Sequence, residues 1–203
     1  MQASTIALIL VDLQVDFMPT GMLPVAEADQ VVPIANELMQ DYETVVATQD
    51  WHPANHGSFA ANHPWRKPGQ VIDLHGLPQV LWPIHCVQGT WGAEFVAGLD
   101  TDRITKVFQK GTDPEVDSYS GFYDNGRRKS TGMGEWLKER GIEEVHVLGV
   151  ATDYCVKFTV LDAVADGFRA TLLKAATRGV ELEPGDVGRA VGEMQAAGAE
   201  VRE

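Results

Sequence analysis

Short, almost uninterrupted apolar runs, separated by helix-patterned or loop segments, constrain this chain more than any other feature. Ile6–Val11 contains no polar residue, and Val145–Val150 is nearly all apolar. A strand with one wet face alternates apolar and polar residues. A continuous apolar run instead marks a strand buried on both faces, as in parallel sheets covered by helices. Further strands are expected at Val45–Thr48, Ile104–Phe108 and Ala170–Leu173, with a short edge strand at Glu200–Arg202. Helices are expected at Asp29–Met39, with Pro33 near its start, and at Glu135–Arg140, closed by Gly141. Two more are expected at Asp153–Asp166, with Val156, Val160 and Val164 on one face, and at Pro184–Ala197. Residues 50–100 hold much of the Pro, Gly, His and Trp and little periodicity, and loops that long are usually functional. Strand alternating with helix predicts an α/β fold: one three-layer α/β/α domain over residues 1–203 around a mainly parallel central sheet.

Composition narrows the partners. Sixteen basic residues against 29 acidic ones leave a formal charge of −13. That balance argues against nucleic acid and anionic membranes, which carry the same sign. The densest basic cluster is only Arg127, Arg128 and Lys129. Two cysteines, Cys86 and Cys155, do not make a disulfide framework, and no secretory leader is evident at the N-terminus, so a cytoplasmic protein is expected. The apolar run at Ile6–Val11 is far shorter than the ~20 residues a membrane span needs. The expected partner is a small molecule, with a homo-oligomer left open.

Ligands of open α/β sheets bind beyond the carboxyl ends of the strands. Asp12 follows the first predicted strand, Asp50 and His52 the second, Lys110 the third. Cys155 follows the fourth, at the start of a helix. Unsatisfied N–H groups at a helix N-terminus favour a thiolate and can hold an oxyanion. Cys155 can therefore be read as a nucleophile or as a buried core cysteine; Cys86 has no such setting and reads as structural. Asp12 and Lys110 can be a structural ion pair. Beside a thiol they can instead be a base that takes its proton and an ammonium that holds the base and balances charge.

Asp50 and His52 are two apart, so on an extended chain they face the same way. With His85 they make one carboxylate and two imidazoles, a set that suits Zn, Fe or Mn with positions left open. The alternative is that these are ordinary loop histidines. His56 is a fourth candidate; His63, His75 and His146 look ordinary. The chain carries no Gly-rich dinucleotide fingerprint, no P-loop and no Gly-x-Ser-x-Gly elbow.

Six segments share order and spacing with a known family. They are Val11-Asp12-Leu13-Gln14-Val15-Asp16-Phe17, Asp50-Trp51-His52-Pro53-Ala54-Asn55-His56-Gly57-Ser58-Phe59 and Trp82-Pro83-Ile84-His85-Cys86-Val87. Lys110-Gly111, Tyr119-Ser120-Gly121-Phe122 and Gly149-Val150-Ala151-Thr152-Asp153-Tyr154-Cys155-Val156 complete the set. Nearly end to end, the sequence resembles the nicotinamidases (pyrazinamidases) of the isochorismatase-like cysteine hydrolases. The resemblance implies a Rossmann-like fold and a triad of Asp12, Lys110 and Cys155. It implies one divalent transition metal, Zn foremost with Fe or Mn as alternatives, on Asp50, His52 and His85. A cis peptide before Ala151 and an oxyanion hole from the N–H groups of Ala151 and Cys155 are also implied. Phe17 and Trp82 match positions lining the pyridine pocket, and Tyr119 adds to its wall. Some members carry a further His ligand where this chain has Ser58, with His56 two residues earlier.

The activity implied is hydrolysis of nicotinamide to nicotinate, and of pyrazinamide to pyrazinoate, through a Cys thioester in NAD salvage. Competing readings are a related hydrolase of ureido or carbamoyl compounds, a metallohydrolase with a structural Cys155, and a binding protein without catalysis. The Asp-x-His loop argues against the first, since such members generally lack it.

Overall fold

The computed structural model describes residues 4–203. Six strands form one sheet: β1 (Ile6–Val11), β2 (Thr44–Asp50), β5 (Lys106–Lys110), β6 (Glu144–Val150), β7 (Arg169–Arg178) and β8 (Glu200–Arg202). Their order is β5-β2-β1-β6-β7-β8, and every neighbouring pair is parallel. The chain therefore starts in the middle of the sheet, builds one wing, then returns to β1 and builds the other.

The continuous apolar runs have the expected cause. Ala7, Ile9 and Val11 of β1 face one core, and Leu8 and Leu10 the other. Helix α1 (Val31–Leu38) covers the second core with Val31, Val32 and Ala35. Helices α2 (Met133–Glu139), α3 (Lys157–Ala165) and α4 (Asp186–Ala196) supply Leu137, Val160 and Met194 to the first. Burial at ~25 cal/mol per Å2 of apolar surface is the main force holding these three layers. No described helix is long and apolar enough to cross a membrane.

Several boundaries differ from the sequence reading, each for a physical reason. The third core strand runs over Lys106–Lys110 rather than Ile104–Phe108, because Ile104 closes a 3-10 turn at Thr101–Arg103. As an edge strand it has few buried positions, so hydrophobicity marks its register poorly. Strand β7 continues past Leu173 to Arg178, because a bulge opposite Val147 and Gly149 carries the pairing past Lys174. The helix expected at Asp153–Asp166 begins as a π turn, Thr152–Val156, before α3. Residues 50–100 contain an unforeseen hairpin, β3 (Val71–Leu74) with β4 (Leu77–Val80). Its turn is His75-Gly76, with φ of 50° and 88°, the positive values that two-residue hairpin loops require. Pro78 within β4 hides it from a propensity reading.

Candidate active site

Strand register builds the polar centre. Asp50 ends β2 and Lys110 ends β5, and the two are direct cross-strand partners. Asp12 follows β1 in a left-handed conformation, φ 51°. Lys110, Asp12 and Asp50 are 2%, 0% and 4% exposed, so their charges must be satisfied by one another. The Lys110 ammonium donates to Asp50 Oδ1, to the Ser118 carbonyl at 3.0 Å and to Cys155 Sγ at 3.4 Å. It also forms a buried ion pair with Asp12 Oδ2 at 2.9 Å. Thr48 adds a second hold on the same carboxylate, donating to Asp12 Oδ1 at 2.6 Å and accepting the Asp12 N–H at 3.2 Å.

A carboxylate oxygen of Asp12, one of Asp50 and the Cys155 sulfur all lie within 4.8 Å of one another. Burial works to lower the Lys110 pKa, but Asp12 and Asp50 outweigh it and hold it well above the ordinary lysine range. Burial raises the Asp12 carboxyl above its usual range, against the pull of Lys110. It also pushes the Cys155 thiol well up, opposed by Lys110 and aided by Asp12 and Asp50. Desolvation and the two carboxylates thus oppose the thiolate that a helix terminus favours. A thiol beside a carboxylate of raised basicity is an arrangement for proton transfer.

The second polar group faces the same space. Asp50 Oδ2 stands 3.4 Å from His52 Nε2 and 3.7 Å from His85 Nε2. His52 Nδ1 donates to the Gly111 carbonyl and His85 Nδ1 to the Pro83 carbonyl, both at 2.8 Å. Each Nε2 lone pair is therefore free, which is the tautomer a metal ligand needs. Three ligands at ~2.1 Å around one tetrahedral ion stand roughly 3.4 Å apart, so the donor set fits a small divalent metal. Gly111 is required here: its φ is +62°, and a Cβ on it would meet the His52 ring. Burial opposes the Asp50 charge, yet Lys110 and His52 hold its carboxyl well below the usual range.

His56 lies beside this set. Its Nδ1 accepts the Ser58 N–H at 3.2 Å and stands 2.7 Å from Ser58 Oγ. The neutral ring therefore carries its proton on Nε2, and burial together with His52 lowers its pKa to about 4. His56, His52 and Asp117 offer one donor atom each within 4.8 Å.

A cavity joins the two groups. Cys155 and Ala151 line one part of it, Asp50, His52 and His85 another. Phe17, Trp82 and Tyr119, singled out from the resemblance, all line it too. The Trp82 ring lies 4.8 Å from Tyr154 edge to face and donates its N–H to the Tyr119 hydroxyl at 3.2 Å. Phe17 meets His85 at 5.6 Å. The Val150–Ala151 peptide is cis. Cys86 is fully buried, apart from the cavity lining, and its thiol is pushed well up by burial.

Sequence reasoning missed the residues that act through the backbone. The Gln14 side chain exchanges hydrogen bonds with the Asp50 backbone, accepting its N–H and donating to its carbonyl, both at 2.8 Å. Asp16 accepts the Cys86 N–H at 2.7 Å and so fixes the residue next to His85. Gln14 and Asp16 stand in a quoted motif, but nothing in one sequence says what they touch. Leu23, Asp117, Tyr154 and Val180 complete the cavity wall.

An isochorismatase domain model matches residues 6–203. The nicotinamidase of Escherichia coli (strain K12) is 51% identical over 201 residues, covering 95% of this chain and 92% of that protein. The solved nicotinamidase/pyrazinamidase of Acinetobacter baumanii is 44% identical, covers 100% of this chain and 98% of its own, and superposes with a TM-score of 0.96. The pyrazinamidase of Pyrococcus horikoshii, solved in complex with zinc, is 39% identical with a TM-score of 0.79, covering 98% of this chain and 99% of its own.

Proposed function

The chain belongs to the isochorismatase family, and on that premise we propose that it is a cysteine amidohydrolase converting nicotinamide to nicotinate and ammonia, and pyrazinamide to pyrazinoate, in NAD salvage in the cytoplasm. The observation that carries this reading is the meeting, in one cavity, of a thiol backed by Asp12 and Lys110 with a set of donors suited to a metal. Its relatives of known structure include a nicotinamidase and a zinc-bound pyrazinamidase. The acidic surface supports a small-molecule substrate over nucleic acid.

In the mechanism, Asp12 takes the Cys155 proton as sulfur attacks the carboxamide carbon. The N–H groups of Ala151 and Cys155 hold the oxyanion. Lys110, hydrogen-bonded to Cys155 Sγ, balances the charge on sulfur and carboxylate. Asp12 then returns its proton to the departing ammonia, leaving a thioester. It next takes a proton from water, which attacks the thioester and releases the acid and the thiol. Asp50, His52 and His85 would hold a divalent transition metal, zinc by preference, and when bound it supplies a Lewis acid for the ring nitrogen. Phe17, Trp82 and Tyr119 enclose the ring and exclude water.

Ammonia release from nicotinamide, pyrazinamide and benzamide, with elemental analysis of the same protein, tests the assignment. Benzamide keeps the carboxamide and the aromatic stack but lacks the ring nitrogen. A nitrogen contact made equally in ground and transition states raises KM when lost and spares kcat. His52→Ala is therefore expected to damage kcat/KM for nicotinamide severely and the poor use of benzamide much less. Equal proportional losses on both amides would place the metal in the chemistry or the fold instead.

Asp12→Asn keeps the shape and loses the base. Alkylation of Cys155 by iodoacetamide near neutral pH is expected to slow by about tenfold or more, because no carboxylate remains to take the thiol proton as sulfur attacks. An unchanged rate would show that Asp12 does not activate the thiol.

A further inference from the structure

Asp153 is buried, two residues before Cys155, and the mechanism does not use it. Its carboxylate reaches across to the segment that follows β7. Oδ1 accepts the Val180 N–H at 3.0 Å, and Oδ2 accepts the Glu181 N–H at 2.7 Å. Two consecutive backbone donors on two carboxylate oxygens need an acceptor at both ends, which Asp provides and Asn does not. The chain comes close enough because residue 179 is glycine: a Cβ there would stand 3.1 Å from Asp153 Oδ1 and would overlap the Val187 side chain. Glu181, the far end of the clamp, is left-handed at φ 54°. Between the glycine and Glu181 lies Val180, which lines the catalytic cavity together with Tyr154 and Cys155.

We propose that Asp153 is a positioning residue that locks the Val180 wall of the substrate cavity to the turn carrying Cys155, so that the ring is held at a fixed distance from the nucleophile. This rests on the nicotinamidase reading above. The clamp touches neither the proton-transfer groups nor the metal donors, so its loss should loosen substrate binding far more than chemistry. Val180 is one of three aliphatic residues on the cavity wall, with Leu23 and Ala151, and its displacement removes packing from the substrate ring.

The test combines hydrogen exchange with steady-state kinetics on the full chain. Asp153→Asn is expected to accelerate exchange at the Val180 or Glu181 amide at least about tenfold, because a buried acceptor has been replaced by a donor. KM for nicotinamide should rise about tenfold while kcat stays within about threefold, the pattern of lost uniform binding. Val180→Ala should raise KM in the same direction with exchange at Glu181 unchanged. Where Asp153→Asn fails to fold, Gly179→Ala, which crowds the same carboxylate, must show both the faster exchange and the KM rise. Unchanged KM in Val180→Ala, or a loss confined to kcat in either clamp variant, would overturn the proposal. Absence of turnover in the wild-type chain would instead defeat the nicotinamidase reading, while the exchange result would still show whether the clamp exists.

Discussion

Replacing Lys110 by methionine is expected to lower the thermal midpoint by roughly 10 °C. The ammonium sits between Asp12 and Asp50, with all three groups nearly inaccessible to water. Removing it leaves two carboxylates facing each other without a counter-charge, and breaking a buried ion pair from one side costs about 3–5 kcal/mol. For a chain of 203 residues each kcal/mol moves the midpoint by roughly 2–4 °C. Calorimetry or circular dichroism reads the shift. Adding Asp12→Asn to the methionine variant should recover part of the loss, since it removes one of the stranded charges. A shift under about 3 °C for the single variant, with no recovery in the double, would mean that the carboxylates are neutral or hydrated in the folded state.

Cys155→Ala is expected to abolish turnover while leaving the fold and the metal content intact. Alanine removes the only thiol lining the cavity. The proposed metal donors come from the end of β2, the segment just after it and the loop around His85, not from the turn that holds Cys155. Elemental analysis and circular dichroism should therefore match the unaltered protein, and kcat should fall below about a hundredth, a barrier increase of at least ~2.7 kcal/mol. A variant that kept more than that would point to water as the nucleophile and would end the thioester mechanism.

What could be read from the sequence follows from what each residue answers to. Strands β1 and β6 are legible because both faces are buried, so every position is selected for apolarity. Asp12, Asp50 and Lys110 are legible because they interrupt or end such runs at one edge of the sheet, and parallel order brings them together. The limits of β5 and β7 were misplaced because an edge strand and a bulge obey backbone pairing more than hydrophobicity. Thr48 was invisible for a different reason. It lies in an apolar strand and reads as one more β-branched residue, yet its hydroxyl holds the proposed base. Gln14 and Asp153 likewise work on backbone N–H and C=O groups, whose positions depend on the fold rather than on residue type.

Strand β1 is a seam between two halves made at different times. Asp12, Asp50, His52, His85 and Lys110 all belong to the first 110 residues and to the wing of β2 and β5. Cys155 arrives 45 residues after Lys110, with β6, on the opposite flank. Synthesis proceeds from the N-terminus, so a growing chain holds the proposed base, ammonium and metal donors before it holds the proposed nucleophile. A ribosome-bound chain that ends before Cys155 carries the side chains proposed to hold the metal but not the sulfur proposed to attack the amide. The proposed nucleophile joins the centre when β6 pairs with β1, so the proposed active site is assembled by the first strand of the second wing.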